Sequence, residues 1–495
     1  MVIADTPSQV SATLARTAAL AIALTPAAGW SLTAEEVWSK FQETVAETGQ
    51  TLSAASETPG PGSLTLDGLT LSGSVDGVGS NTMLIEVMTL TEQADGSVRI
   101  DLPDSILVEF QDQASFGVER LVFDVFSTDL DMVATESGSE FSLRYTATSG
   151  GLRILEPTDV PEIPEIEVLA KGLAFRTTLG DSRTDSTGTA DSFAVSMNAT
   201  DADTGQELEV VYEISDIVTA SSGPLTHIAQ AIEGLPDFDL AIDYGAFSLG
   251  VASSATVSTG TLALTGGVGS GRMSANDGLA RFASATSDIG FDMRGEGLPG
   301  PINWAAENLS LDATLPANQP SGEYPFALDL DLQNFTLGEA TWGLFDPNGV
   351  LPRDPARLAV DLDGTAELRE QILPGGQQSF QAMEPRSMTI NQFVLDFAGA
   401  QLDATGALEF LGMQPQFGGM PALPNLIGEV SITLAGMDGL LQGLADIGLF
   451  DNQALIGARM MLGVVARPGA EPDTLESELE FTADGGVIAN GMRLR

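Results

Sequence analysis

The sequence predicts a mainly β protein: a long, twisted, largely antiparallel sheet, with two β halves as an open alternative. A few short covering helices are expected at the N-terminus, in the middle and at the C-terminus. Apolar and polar residues alternate with a period of two along most of the chain, as in residues 326–337. The chain has 54 glycines and 25 prolines, and loops that contain them separate these segments. At 495 residues, the chain exceeds the usual size of one compact core.

The charge of the chain is strongly acidic, with 69 acidic residues against 20 basic ones and a net charge of −49. Lys40 and Lys171 are the two lysines. Such a surface repels phosphate backbones and anionic membranes, so nucleic-acid binding is not expected. The chain has no cysteine, which excludes disulfides and thiolate metal sites.

The first residues have the pattern of an export signal. Arg16 precedes the apolar run 17–29, and Ala27 and Gly29 match the small residues that precede a cleavage site. The run is too short to span a bilayer, so no stable membrane anchor is expected after cleavage. We therefore expect an exported protein that is periplasmic or secreted.

The chain is divided by pattern into six parts. Thr33 and Glu36 match a capping box that begins a helix, and Pro224 suits the first turn of a second helix. The parts are a signal peptide (1–29), an N-terminal helix and linker (30–60), a first β-rich half (61–221), a helical connector (222–237), a second β-rich half (238–435) and a C-terminal cap (436–495).

Residues 390–410 represent the building block of the β halves. They are expected to form a strand, a break at Gly399, a short strand, a break at Gly406 and a third strand. The alternation predicts one buried or groove-lining face and one wet face. The first face contains Phe393, Leu395 and Phe397, and the second contains Asp396 and Asp403.

The C-terminal cap is predicted to contain two short helices, over residues 436–450 and 453–466. A hairpin between residues 475–481 and 487–494 then closes the chain. Asp484 and the two glycines after it supply its turn.

No residue is assigned a catalytic, cofactor-binding or metal-ligating role. His227 is the only histidine and no nucleophile elbow accompanies it, so a surface or capping position is favoured over a catalytic base. Asp201, Asp203 and Glu207 resemble part of a calcium loop but lack the remaining ligands, and a hairpin turn explains them better.

Two further patterns favour structural interpretations. Asp361 with Asp363, and Asp329 with Asp331, lie two apart on strands, so each pair is expected on a solvated face. The glycine-rich run 266–271 has no following lysine, which favours a flexible loop over a phosphate site.

The ending at residues 475–494, with its acidic-glycine turn and its Asn490-Gly491 pair, resembles a family of exported bacterial proteins of unknown function. Residues 351–368 (LPRDPARLAVDLDGTAEL) and 31–38 (SLTAEEVW) add to the resemblance. The repeated strand–glycine–strand unit is more distantly similar to AsmA-like envelope proteins. That similarity implies long β sheets concerned with lipid handling or upkeep of the outer membrane.

These observations favour a non-enzymatic periplasmic protein that binds lipid or another apolar ligand along its sheet and serves envelope maintenance. The alternative is a secreted structural or surface-interaction protein, such as a scaffold or adhesin, with no ligand groove. An enzyme would need carboxylates that converge in space, and the sequence identifies no such cluster.

Overall fold

A computed structural model describes twelve segments of the chain: 32–47, 49–75, 79–113, 118–156, 164–180, 183–201, 204–224, 237–254, 259–316, 322–368, 383–413 and 424–494. The chain is mainly β, as predicted, with 70% strand and 11% helix. All strand pairs with an assigned register are antiparallel. Two compact units, Met1–Thr261 and Leu262–Arg495, are described separately.

The first unit contains one described helix and fourteen described strands. They are α1 (Ala34–Glu47), β1 (Thr51–Ser53), β2 (Ser56–Gly60), β3 (Ser63–Val75), β4 (Gly79–Glu92), β5 (Val98–Asp101), β6 (Ser105–Gln113), β7 (Val118–Thr128), β8 (Asp131–Ser137), β9 (Glu140–Glu156), β10 (Glu165–Leu179), β11 (Arg183–Thr200), β12 (Glu207–Pro224), β13 (Phe238–Tyr244) and β14 (Ala246–Ser254).

The sheet of the first unit is built from long strands that pair with two shorter strands on one side. β3 pairs with β1 and β2, β4 with β5 and β6, β9 with β7 and β8, and β12 with β13 and β14. β9, β10, β11 and β12 pair in sequence order. The long strands therefore join the short pairs into one antiparallel sheet.

Helix α1 covers part of this sheet, and its capping box forms as predicted. The Glu36 carboxylate accepts the Thr33 N–H at 2.8 Å, and the Thr33 hydroxyl oxygen accepts the Glu36 N–H at 3.2 Å. Lys40 pairs with Glu136 at 2.9 Å and lies over the Phe141 ring. The apolar stripe of α1 is buried with strand residues in one core, which includes Val37, Phe41, Val45, Leu64, Leu66, Leu69, Leu90, Ile100 and Phe141.

The second unit contains the remaining described strands and three described helices; β15 contains the division between the units. They are β15 (Thr259–Gly266), β16 (Gly269–Asn276), β17 (Leu279–Gly295), β18 (Ile302–Pro316), β19 (Gly322–Leu337), α2 (Glu339–Trp342), β20 (Ala356–Leu368), β21 (Met383–Phe397), β22 (Ala400–Met413), β23 (Pro424–Ala435), α3 (Met437–Asp446), α4 (Asn452–Val465), β24 (Arg467–Pro468), β25 (Thr474–Phe481), β26 (Val487–Ala489) and β27 (Met492–Arg493).

The sheet of the second unit is a meander in which consecutive strands pair from β16 to β23. Helices α3 and α4 interrupt the order, and β25 then pairs with β23. The C-terminal helices form as predicted, and so does the hairpin turn, since β25 pairs with β26 and the Thr482 N–H donates to the Gly486 carbonyl at 3.0 Å. The second strand, expected over residues 487–494, is instead divided into β26 and β27, which pair with each other.

Several local predictions need correction. Residues 51–60, expected to be a linker, form β1 and β2, because both short strands pair with β3. Residues 222–224 of the expected helical connector end β12, and residues 225–236 lie outside the described residues. The expected signal peptide, residues 1–29, lies outside them too.

Gly406 does not break a strand, as was expected, but lies inside β22. A Cβ atom there would lie 2.5 Å from the Glu429 carbonyl oxygen on β23, so glycine allows the two backbones to approach. Residues 390–410 therefore contain parts of two strands, which turn at Ala398 and Gly399.

Candidate apolar-ligand surface

Seven leucines form a continuous row across the second unit's sheet. Each lies directly opposite the next on the paired strand, so all seven point to one face. At about 4.8 Å between strands, six steps make the row roughly 29 Å long. This leucine row consists of Leu309, Leu332, Leu358, Leu395, Leu402, Leu434 and Leu475.

A second row lies beside the leucine row. On each of the same strands, its member is two residues from the leucine, after it on one strand and before it on the next. Because side chains two apart on a strand share a face, both rows belong to one surface, which we call the apolar face. The second row consists of Leu311, Leu330, Val360, Phe393, Ala404, Ile432 and Ser477.

The apolar face is not sealed. Leu395 is 40% exposed and Leu309 is 37% exposed, whereas only Leu434, at 9%, falls among the buried side chains of the row. Under helix α1 in the first unit, Leu66 and Leu90 are 0% exposed. The leucine row thus differs from a packed core and presents apolar side chains to solvent.

The opposite face of the same strands is acidic. Asp312, Asp329 and Asp361 lie directly opposite one another on β18, β19 and β20. Desolvation raises the pKa of Asp329, and the neighbouring carboxylates of Asp361, Asp331 and Asp312 add to the rise. Asp329 and Asp331 thus lie opposite the leucines of β19, as predicted, and the sheet has one apolar and one charged side.

One end of this sheet is closed by a small core, which we call the Trp342 cluster. Trp342, Leu351 and Ala398 are buried, and Phe345 and Leu440 pack against them. These residues come from α2, the loop that follows it, the turn after β21, and α3. The cluster joins elements that are distant in sequence.

The Asp346 side chain organises the loop of the Trp342 cluster. It is fully buried, and its two carboxylate oxygens accept the N–H groups of Val350 at 2.9 Å and Leu351 at 3.0 Å. The Val350 bond is the main cause of the lowered pKa of Asp346. Because the carboxylate is ionised and already bonded to backbone, it is suited to holding Leu351 in the cluster and not to acid–base chemistry.

Arg353 completes this loop. Its guanidinium lies 5.5 Å from the centre of the Trp342 ring, forms an ion pair with Glu339, and donates from Nη2 to the Asp346 carbonyl at 3.0 Å. Its Nε atom and the Asp396 Oδ1 atom are buried and have no hydrogen-bond partner among the described residues. The charged side chains of Asp346 and Arg353 therefore stabilise the conformation of this loop.

The first unit has an apolar row of the same kind across its long strands. The row runs from β7 through β9, β10, β11 and β12 to β14. Its members are Val125, Leu152, Val168, Val195, Tyr212 and Leu249, and none of them is among the buried core residues.

The sequence candidates for chemistry that lie in the described segments take part in local structural contacts. His227 and Asp203 lie outside the described residues. The Asp201 side chain accepts the Thr204 N–H at 2.7 Å, as in the expected hairpin turn. Asp361 and Asp363 both accept from the Asn391 side chain, at 3.1 and 2.6 Å, which supports their structural interpretation.

Residues 266–271 form a tight connection and not the flexible loop that was expected. β15 ends at Gly266 and β16 begins at Gly269, and the Gly267 N–H donates to the Ser287 carbonyl at 2.7 Å.

The described segments contain neither a metal-binding cluster nor a membrane-spanning helix. No three histidine, aspartate or glutamate side chains there are arranged to hold a metal ion. No helix in those segments combines the length and the apolar character needed to cross a membrane.

The leucine row could not be identified from sequence, because it depends on the register between strands. Each strand shows alternating leucines, but a shift of one residue between neighbours would divide the row between the two faces. The signal in sequence was the recurrence of leucine at alternate positions on successive strands.

Comparison with known proteins matches part of the chain to a described family. A family model described as "Uncharacterized protein conserved in bacteria (DUF2125)" matches residues 240–494, which include the whole leucine row and the Trp342 cluster. No match was found among curated proteins or among solved structures. The predicted resemblance to a bacterial family of unknown function is thus confirmed, and no similarity to AsmA-like proteins is shown.

Proposed function

The chain belongs to the family of uncharacterized proteins conserved in bacteria (DUF2125), and from the geometry of the matched part we propose that it is a non-enzymatic protein that binds a lipid or another apolar ligand on its apolar face. The observation that carries this proposal is the leucine row, which is continuous over seven strands yet partly exposed. Exposed apolar surface of such extent is typical of an interaction or ligand site.

The dimensions of the row suit an extended hydrocarbon chain. A row of roughly 29 Å can accommodate an acyl chain lying across the strands. Burial of about eight methylenes would contribute on the order of 6 kcal/mol before the entropic costs of binding. The net charge of −49 favours a neutral or zwitterionic ligand over an anionic one.

The non-enzymatic part of the proposal is supported by the state of the buried carboxylate in the Trp342 cluster. Both carboxylate oxygens of Asp346 accept backbone N–H groups. A general base needs a proton to abstract within hydrogen-bond reach, and this carboxylate is already committed to the loop.

We propose further that the protein is exported and acts in the periplasm, in maintenance of the cell envelope. The support is the signal-like pattern of Arg16, the apolar run 17–29 and the small residues Ala27 and Gly29. Cell fractionation tests this proposal: recovery of an uncleaved chain from the cytoplasm would contradict it.

Native mass spectrometry of gently purified protein tests ligand binding. We expect a mass increment from bound lipid, or uptake of added phosphatidylcholine, in the unmodified chain. A Leu309→Gln/Leu395→Gln variant should retain several-fold less lipid, because both substitutions place polar groups in the leucine row.

Leu411→Gln is the matched control. Leu411 is 51% exposed and lies near the end of β22, well beyond Leu402 and Ala404, the β22 members of the two rows. Equal lipid retention by both variants, or no lipid on any of the three proteins, would refute the proposal. The second result would favour a structural or surface-interaction protein with no ligand groove.

A further inference from the structure

Helix α4 has an apolar surface that the chain leaves exposed. Ile456, Met460 and Val464 recur every four residues, so they share one side of the helix. They are 58%, 64% and 49% exposed, and the neighbouring Met461 is 72% exposed. We call these four side chains the α4 face; on the other side of the helix, Leu455 is buried.

The α4 face lacks the acidic character of the rest of the protein. No aspartate or glutamate lies between Asn452 and Val465, although the chain has 69 acidic residues. The single charge of the helix belongs to Arg459, which donates to Asp438 at 2.7 Å and Gln442 at 3.3 Å. An apolar partner therefore meets no carboxylate on this helix.

The C-terminal end of α4 is fixed to the edge of the apolar face. The Val465 carbonyl accepts the Ser477 hydroxyl at 2.6 Å and the Asn490 side-chain amide at 3.0 Å. Ser477 is the last member of the second row and lies two residues from Leu475, the last leucine of the leucine row. The α4 face is thus attached where the apolar face ends.

We propose that the α4 face docks the protein reversibly on a zwitterionic lipid surface. The exposed methionines are flexible and apolar, as suits insertion into the boundary between headgroups and acyl chains. Docking there would place the last strand of the apolar face next to a source of lipid. Docking depends on α4 alone, whereas its use for ligand exchange rests on the proposed function.

Charge and area favour a lipid surface over a second copy of this chain. Two copies would each bring a net charge of −49, and their mutual repulsion opposes association. Four side chains also fall well short of the roughly 800 Å² per partner that a stable protein interface buries. A phosphatidylcholine surface carries no net charge and accepts a single helix.

Co-flotation of the full chain with phosphatidylcholine vesicles tests the docking. The unmodified protein should float with the vesicles, and an Ile456→Gln/Met460→Gln/Met461→Gln variant should bind roughly tenfold more weakly. Leu411→Gln, an exposed substitution on β22, should float like the unmodified protein. Partial replacement of phosphatidylcholine by an anionic phospholipid should weaken binding, because the protein is acidic.

Failure of the unmodified chain to float, or equal flotation of the triple variant with an unchanged circular dichroism spectrum, would overturn the docking. If light scattering shows that the unmodified protein is a dimer and the triple variant is a monomer, the docking would be overturned in favour of a second copy of the chain. The Leu309→Gln/Leu395→Gln variant separates the two proposals: it should float normally while losing bound lipid. Normal flotation of the unmodified chain and of this double variant, with weak flotation of the triple variant and no retained lipid on any protein, would refute the ligand site alone.

Discussion

At the scale of single residues, the Asp346 carboxylate shows how one buried charge shapes the end of the second sheet. Its bonds to the Val350 and Leu351 N–H groups turn the loop so that Leu351 enters the Trp342 cluster. The same bonds favour the ionised form and lower the pKa of Asp346 below 3.8. The stability of this loop should therefore depend on pH.

Replacement of Asp346 by asparagine tests that dependence. A group whose pKa is lower in the folded state stabilises the fold fully above its unfolded pKa, and this contribution is lost as pH falls through the folded value. At pH 7, Asp346→Asn should lower the unfolding temperature by several degrees, because an amide NH₂ would meet a backbone N–H. The difference from the unmodified protein should shrink below about pH 4, because the unfolded state of the unmodified protein binds a proton at this aspartate before the folded state does.

Differential scanning calorimetry over a pH series measures both effects. Asp354→Asn is the matched control, since Asp354 is exposed in the same loop and should leave the transition unchanged. A constant difference between Asp346→Asn and the unmodified protein from pH 7 to pH 3 would contradict the assigned role of the carboxylate.

Residue alternation was predictable near the turn after β21, but exposure was not. The period of two is confirmed, since Val394 is buried while Leu395 is exposed. The face that was expected to be buried or groove-lining therefore contains the exposed Leu395, and the face that was expected to be wet contains the buried Val394. Which face is covered depends on loops that pack from elsewhere in the chain, and alternation contains no information about them.

At the scale of elements, a sheet face that a helix covers differs from one that stays open. Helix α1 seals the face of the first unit that contains Leu66, whereas the leucine row of the second unit stays partly open. Removal of side-chain volume under helix α1 should therefore lower the free energy of unfolding much more than the same removal in the leucine row.

Chemical denaturation of lipid-free variants measures this difference. Leu66→Ala should destabilise the first unit by about 3 kcal/mol, as is usual for a leucine in a packed core. Leu395→Ala should cost the second unit about 1 kcal/mol or less, because its side chain is 40% exposed. Losses of similar size for the two variants would mean that the leucine row is a packed core, and would argue against a ligand site.

Elements with strong local signals were predictable, and elements set by tertiary contacts were not. Helix α1 follows from the capping box of Thr33 and Glu36 and from its apolar stripe. Helix α2 has only four residues, too few for a periodic pattern, and its place depends on packing of Trp342. Gly406 was expected at a break because the close approach of β23 is not visible in sequence.

At the scale of the whole molecule, the composition determines the balance between attraction and repulsion of charges. Many arginines form ion pairs at the surface; Arg99 and Asp101, for example, are each about half exposed and 3.0 Å apart. Such pairs contribute about 0–1 kcal/mol each. With 69 acidic and 20 basic residues, most carboxylates cannot have a basic partner. Repulsion among carboxylates, as in the row of Asp312, Asp329 and Asp361, should therefore exceed attraction.

Added salt should consequently stabilise the protein. The screening length falls to about 10 Å at 0.1 M salt, which weakens repulsion between carboxylates on different strands. We expect the unfolding temperature to rise from low salt to 0.15 M NaCl, and to rise equally with KCl at the same ionic strength. A fall with added salt would show that the ion pairs dominate. An additional rise with CaCl₂ at matched ionic strength would show that carboxylates of the folded protein bind a divalent cation, which screening alone does not produce.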